Sequence, residues 1–407
     1  MNVDVAPANK GYLGGTHRTV GPADTLRRVA PRAPSMGITR VANITGLDVI
    51  GIPVVAVTRP NSRSISVAQG KGVDLVAAKV SGLMEAIENF HAERIRLPLT
   101  LGSVDEMRER GPVLDLSGLP RVAGAPLDPG ARLLWVPGHE AMGRRLTWLP
   151  FEVVHTDYTL PLTGCSGAFA MSDSGVASGN HPLEATSHAI CELVERDAVT
   201  LWRFMSEKER RARRVDPDTV DDELCRWALE RYARAAVRVG VWDVTSDVGI
   251  PTFFCTIVDE ATNRWRFMAP ASGSGCHPSR RVALLRALTE AAQARLTVIA
   301  GSRDDLGLAL YRRGEDRGAF AEVGTLLEGP PARSFSDIAG HDSATFGDDV
   351  AWELACLRGA GIHEVAIVDL TLPEHGIAVV RVVIPGLEGL YDAAGFTPGR
   401  RLRGRLS

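Results

Sequence analysis

The sequence is poor in the features that usually announce a function. Its six cysteines (Cys165, Cys191, Cys225, Cys255, Cys276 and Cys356) contain no C-x-x-C pair. That spacing excludes a zinc site and is too sparse for a disulfide framework, so a reduced, cytoplasmic chain is expected. No apolar run approaches the ~20 residues of a membrane helix. The opening MNVDVAPANKGYLGG lacks the basic-then-apolar order of a signal peptide. A formal net charge of −3 gives no electrostatic reason to expect nucleic acid or a membrane surface as partner. The phosphate-loop pattern G-x-x-x-x-G-K-[ST] is absent, as are the kinase H-R-D and D-F-G motifs and any Ser-His-Asp or Cys-His signature.

What is present is a chain of 407 residues, long enough for a large core in one domain or in interlocked subdomains. Strand patterns at 40–60, 237–268, 363–370 and 376–385 alternate with helical patterns at 73–96, 182–204, 280–300 and 349–360, without a clean βαβ rhythm. A mixed α/β (α+β) fold is predicted. Residues 61–72, 172–179 and 272–275 read as loops, the last two rich in small residues. The stretch 100–145 reads as a peripheral lobe and 303–348 as loop-rich. Residues 1–10 and 399–407 read as flexible tails on a single domain.

The informative feature is electrostatic. In 73–96, Ser81, Glu85 and Glu88 stand at i, i+4 and i+7 and share one face among Leu83, Met84, Ala86, Ile87 and Phe90. In 182–204, Glu184, His188, Glu192 and Glu195 line a face of an otherwise apolar helix. The third helix carries Glu290, Gln293 and Arg295. A carboxylate in apolar surroundings is costly unless it is paired or metal-bound. Ion pairing with the plentiful arginines is one explanation. Three such helices, each after a Gly/Ser-rich segment whose N–H groups could meet an anion, favour a site for magnesium and a nucleotide.

These residues resemble the YcaO superfamily. Ser81, Glu85 and Glu88 match its S-x-x-x-E-x-x-E-R pattern, although Asn89 replaces the final arginine. Further segments are similar to the family in order: Thr16-His17-Arg18 and Pro22-x-x-Thr25, Gly179-Asn180 through Glu184, Glu192-x-x-Glu195-Arg196, Glu290-x-x-Gln293-x-Arg295, and 380–388. The resemblance implies a YcaO-type fold with a central ATP site. It implies magnesium held by Glu85, Glu88, Glu184, Glu192 and Glu195. Arg18, Thr25, Ser81, Arg196 and Arg295 would meet phosphates, Asn180 and Gln293 would position the nucleotide, and Lys71 would add a phosphate or substrate contact. His181 and His188 are the candidate general bases, with a structural role as the alternative for each.

The implied chemistry is addition of a nucleophile to a peptide carbonyl, followed by phosphorylation of that oxygen by ATP so that it can leave. The C-terminus lacks the proline-rich ending of azoline-forming relatives. Segments 38–47, 59–63 and 177–181 are similar to the branch associated with TfuA partners, which makes backbone thioamides; macroamidine-forming members are similar there too. A precursor peptide, a TfuA-like sulfur-delivery protein and a homodimer are the expected partners. Azoline or macroamidine formation and a non-catalytic ATP-binding scaffold are the alternatives. Among Cys165, Cys191 and Cys276 as sulfur carriers, Cys276 is singled out because it follows the 272–275 segment.

Overall fold

The computed structural model describes residues 8–161, 165–260, 268–307, 317–392 and 395–406. The tail expected at residues 1–7 and the final Ser407 lie outside them, as do parts of the 237–268 and 303–348 segments. The described residues form three antiparallel sheets and ten α-helices, in keeping with the mixed fold class.

The first sheet has strands β1 (Arg40–Asn43), β2 (Val54–Thr58) and β3 (Val67–Lys71) in that order. Helix α1 (Pro22–Val29) precedes it and α2 (Leu75–Ala92) follows it. Asp74 caps α2, its carboxylate accepting the Ala77 N–H at 2.8 Å. The largest sheet runs β4 (Thr100–Gly102), β5 (Leu133–Glu140), β11 (Ala366–Asp369), β12 (Ala378–Val383), β7 (Val176–Gly179), with β6 (Arg145–Pro150) on β5. Helices α3 (Val104–Arg110), α4 (Pro182–Arg203), α5 (Glu207–Arg211) and α6 (Glu223–Arg234) intervene. The third sheet orders β8 (Val237–Asp243), β9 (Thr252–Asp259) and β10 (Ala271–Cys276) as β10-β9-β8, and α7 (Arg280–Ala300) follows, ended by Gly301 in the left-handed region. Helices α8 (Arg317–Leu326), α9 (Phe346–Gly359) and α10 (Arg400–Leu406) complete the set.

Several segments differ from their sequence-based expectation, each for a packing reason. The three supposed loops before the glutamate helices contain β3, β7 and β10. Glycine and serine depress strand propensity, but these strands need small residues because the following helix lies directly on them. A Cβ on Gly70 would stand 2.1 Å from the carbonyl oxygen of Ala78 in α2. One on Gly275 would stand 2.2 Å from that of Ala283 in α7. The 100–145 stretch is not peripheral, since β5 sits inside the largest sheet and Trp135 is fully buried. The 303–348 segment includes α8.

Described residues near both ends of the sequence are tied down. Lys10 forms a buried pair with Asp349 at 2.7 Å and its N–H reaches the Ala344 carbonyl. Arg401 in α10 makes a bidentate contact with buried Asp197 at 2.9 and 3.1 Å, and Leu402 is fully buried. Residues 8–10 and 399–406 therefore depart from the flexible-tail expectation.

Strands β3, β7 and β10 are each the end strand of their sheet, and each lies under the helix that follows it. Helix α7 also touches β2 and β3 of the first sheet, α2 reaches β7 and β12, and α4 reaches β10. Three sheets are thus interlocked through three helices, and the glutamates sit where those helices converge. No helix among the described residues is long and apolar enough to cross a membrane.

Candidate functional site

Helices α2, α4 and α7, with strand β3 and the segment 14–25, enclose a cavity of about 1020 Å3. All five predicted metal glutamates line it, together with Arg18, Thr25, Lys71, Ser81, Asn180, His188, Arg196, Gln293 and Arg295. His181 does not line it. It caps α4, its Nδ1 accepting the Leu183 N–H at 3.2 Å, which is a structural duty.

One N–H group in each of the three segments that the sequence assigned to an anion already meets a carboxylate. Glu85 Oε1 accepts from the Gln69 N–H on β3, Glu290 Oε1 from the Ser274 N–H on β10, and Glu88 Oε1 from the Ser178 N–H on β7. Carboxylates of the packed helices thus occupy amides of three edge strands.

The five glutamates fall into two groups. Glu184 is 1% exposed and its oxygens accept from the Thr19 N–H and hydroxyl and from the Asn180 N–H and amide. It fastens the segment 18–25 to α4, and Thr25 and Arg28 add hydrogen bonds to Asn180 at 3.0 and 2.8 Å. Glu195 is 2% exposed and accepts from the Ser274 hydroxyl and the Cys276 N–H.

Glu85, Glu88 and Glu192 are less completely matched. Burial raises Glu85 to about 7 against the opposing pull of Lys71. Burial raises Glu88 to about 8, with Glu85 and Glu192 adding like charge. Burial also raises Glu192, partly offset by Arg196.

Cations face these acids. Arg196 pairs with Glu192 at 3.4 Å and Glu195 at 3.3 Å, and Lys71 meets Glu290 at 2.7 Å. Burial opposes ionisation of Glu290, but Lys71 and Arg196 hold its carboxyl well below the usual range. Arg295 behaves differently from its expected phosphate role. Its guanidinium is engaged by Asp48 at 2.9 Å and Asp259 at 3.0 Å, with 4% of the side chain exposed. It holds α7 to the first and third sheets.

His188 accepts the Arg286 N–H on Nδ1 at 3.1 Å. A guanidinium only donates, so the neutral ring carries its proton on Nε2 and offers no free lone pair. Burial first, then Arg286, Arg18 and Lys71, lowers its pKa well below the usual value. The geometry makes His188 a hydrogen-bond donor rather than a base.

The charged lining residues Asp173, Arg203, Arg286, Arg303, Glu322 and Asp392 escaped the sequence, whereas the sequence marks Glu290 on the third glutamate helix without a role of its own. Arg286, Glu290 and Gln293 repeat the i, i+4, i+7 spacing of Ser81, Glu85 and Glu88, so that signal was available. Asp173 and Arg303 stand in irregular segments and carried none.

The donor set suits a polyanion with a divalent cation. Arg18, Lys71, Arg196, Arg286 and Arg303 converge on one cavity, and Arg196 Nε, Arg286 Nε and Gln293 Oε1 are buried without a partner among the described residues. Among the described residues no three His, Cys, Asp or Glu side chains are assembled to hold a metal alone. Magnesium commonly takes one or two carboxylates plus phosphate oxygens and water, which fits this arrangement.

Residues 69–388 match the family model described as YcaO cyclodehydratase, ATP- and Mg2+-binding. The chain is 37% identical to an uncharacterised protein in the tfuA 3′ region of Rhizobium leguminosarum bv. trifolii, over 99% of this chain and 97% of that one. It is 31% identical to an uncharacterised protein of Methanothermobacter thermautotrophicus, over 96% and 99%. In fold it is similar to a YcaO from Methanopyrus kandleri bound with AMPPCP and Mg2+, at TM-score 0.73 and 22% identity over 97% and 99% of the two chains. It also matches a heterocyclase in complex with substrate and cofactor, at TM-score 0.80 and 21% identity, covering 99% of this chain and 56% of the heterocyclase's length.

Proposed function

The chain belongs to the YcaO family, and from that premise we propose that it uses ATP and magnesium to activate a backbone amide of a peptide, installing a thioamide. The carrying observation is the set Glu85, Glu88 and Glu192, whose pKa values stand above the ordinary range in a cavity that also gathers seven cationic side chains. Such acids are stabilised when a divalent cation replaces their protons.

Arg18, Lys71, Arg196 and Arg286 would meet the phosphates, with Thr25, Ser81, Asn180 and Gln293 placing the nucleotide. Glu85, Glu88 and Glu192 face the cavity as the magnesium ligands. Glu184 and Glu195 can join them only by giving up the hydrogen bonds described above. Magnesium supplies positive charge beside the phosphoryl group in transfer.

In the proposed reaction a sulfur nucleophile adds to the amide carbon, the carbonyl oxygen takes the γ-phosphoryl group of ATP, and phosphate departs with that oxygen. An amide oxygen is a poor leaving group and a phosphate is a good one, so the cavity's work is positioning and charge stabilisation. Neither His181 nor His188 is placed to act as a base, and the added nucleophile is already anionic as hydrosulfide.

The choice of a thioamide draws on the relative in a tfuA 3′ region and on the segments 38–47, 59–63 and 177–181. We read residues 1–407 as one YcaO domain acting on a ribosomally made peptide in the cytoplasm, as a homodimer with a TfuA-like sulfur-delivery protein. The test is intact-mass measurement of candidate peptides after incubation with ATP, magnesium and hydrosulfide. A mass gain matching replacement of oxygen by sulfur is expected. Loss of one water would point instead to an azoline or macroamidine, and no mass change without ATP turnover would leave only a binding scaffold.

A further inference from the structure

Outside the cavity, residues 151–161 and 165–172 bring two reactive side chains together. Cys165 Sγ lies 3.6 Å from His155 Nε2. His155 is 5% exposed and its ring stacks on Phe151 with centroids 4.4 Å apart. Its Nδ1 accepts the Asp157 N–H at 3.1 Å. A backbone amide can only donate, so the neutral imidazole carries its proton on Nε2 and directs it at the sulfur. Burial lowers the His155 pKa, which keeps the ring neutral. Here the imidazole is a fixed donor to sulfur and not a proton acceptor, an arrangement suited to holding a sulfur anion once one has formed.

The residues that follow Cys165 are held in place by a buried acid. Glu152, 2% exposed, accepts the Ser166 N–H at 2.8 Å and the Gly167 N–H at 3.2 Å. The same segment reaches the nucleotide cavity. Arg381 donates to the Val153 carbonyl at 3.1 Å and to the Ser172 carbonyl at 2.9 Å, and the next residue, Asp173, lines the cavity.

The other candidate sulfur carriers are shut in. Cys276 is 0% and Cys191 1% exposed; the Cys276 N–H is bound to Glu195, and the Cys191 thiol donates to Glu353. Cys165 is half-buried.

We propose that Cys165 is a sulfur-accepting site that takes a sulfane sulfur from a persulfide donor and holds it as a persulfide against His155 Nε2–H. The step conserves atoms and electrons. Cys165 gives up its proton and attacks the terminal sulfur of the donor, R–S–SH. A new S–S bond forms at Cys165 as the donor's S–S bond breaks, and the departing thiolate takes the proton to become R–SH. A thiol reductant then releases hydrosulfide. Burial, with Glu152 nearby, pushes the unmodified Cys165 thiol up to about 11, so the resting sulfur is protonated and guarded against oxidation. A persulfide, being more acidic than a thiol, would be the anion that the imidazole N–H binds.

This proposal rests on the thioamide reading but is tested apart from it. The reduced full chain is treated with glutathione persulfide, without peptide or ATP, then alkylated, digested and mapped by mass spectrometry. The peptide holding Cys165 should carry one extra sulfur atom. Cys165→Ser should lose the label and Cys276→Ser should keep it. His155→Gln, which retains an N–H donor, should hold the persulfide several-fold longer than His155→Phe. Label spread evenly over the cysteines, label persisting in Cys165→Ser, or an unlabelled Cys165 would overturn the proposal. Wild-type protein fed hydrosulfide directly, with peptide and ATP, tests thioamide formation by itself.

Discussion

Lys71 on β3 and Glu290 on α7 meet at 2.7 Å across the cavity, although 219 residues separate them. The pair joins the first sheet to the helix of the third, and both side chains are about a fifth to a quarter exposed. A pair so placed contributes little to stability, ~1 kcal/mol or less. On the proposed function, its value would be a cation held ready for the phosphates.

Lys71→Ala is therefore expected to leave the thermal midpoint nearly unchanged while raising the KM for ATP about tenfold, as loss of a charge-assisted contact does. Nucleotide titration beside a melting curve checks this. An unchanged KM would remove Lys71 from the phosphate contacts.

The raised glutamates give stability a defined pH dependence. Glu85 and Glu88 titrate near 7 and 8 in the folded chain against 4.5 ordinarily. Between pH 4.5 and 8 the native state binds more protons than the unfolded one, so stability contributed by these groups falls as pH rises. A tenfold change in a carboxyl's proton affinity on folding is worth at most ~1.4 kcal/mol. Nucleotide-free protein should melt at lower temperature at pH 8 than at pH 5, and magnesium with ATP should recover most of the loss at pH 8. Glu88→Gln should flatten the slope, which calorimetry across this window will read.

Arg295 offers the opposite test. Removing it strands Asp48, 5% exposed at its side chain, without a counter-charge. Arg295→Met should cost ~3–5 kcal/mol of stability, the penalty for breaking a buried pair. Nucleotide affinity of the fraction that stays folded should change far less. Chemical denaturation with nucleotide binding measured at low temperature separates the two effects.

His188 is expected to tolerate His188→Gln, because glutamine can accept from Arg286 and still donate. Activity within tenfold of wild type fits a donor role. A loss of ~100-fold or more with the fold intact would restore His188 as general base, and steady-state ATP turnover distinguishes the cases.

Much of this site was legible because helical spacing is local. Ser81, Glu85 and Glu88 declare a shared face without any tertiary knowledge, as do Arg286, Glu290 and Gln293. What escaped depended on distant partners. Arg295 could not be told from a phosphate ligand until Asp48, in the connection between β1 and β2, and Asp259, at the end of β9, appeared beside it. Strand β10 looked like a loop because its glycines are chosen for contact with α7, not for strand propensity. The preference among cysteines reversed for a similar reason. Cys276 follows a suggestive segment but is sealed by the α4 contact through Glu195, whereas Cys165 gains its meaning from a histidine ten residues earlier.

The cavity draws its walls from residues as far apart as Gly14 and Asp392. During synthesis the cavity therefore cannot be complete until the last of those residues has left the ribosome. On the proposed function, the nucleotide would have no complete place to dock before then. Magnesium and ATP would bind as a late clasp, rewarding only chains whose three sheets have already found one another.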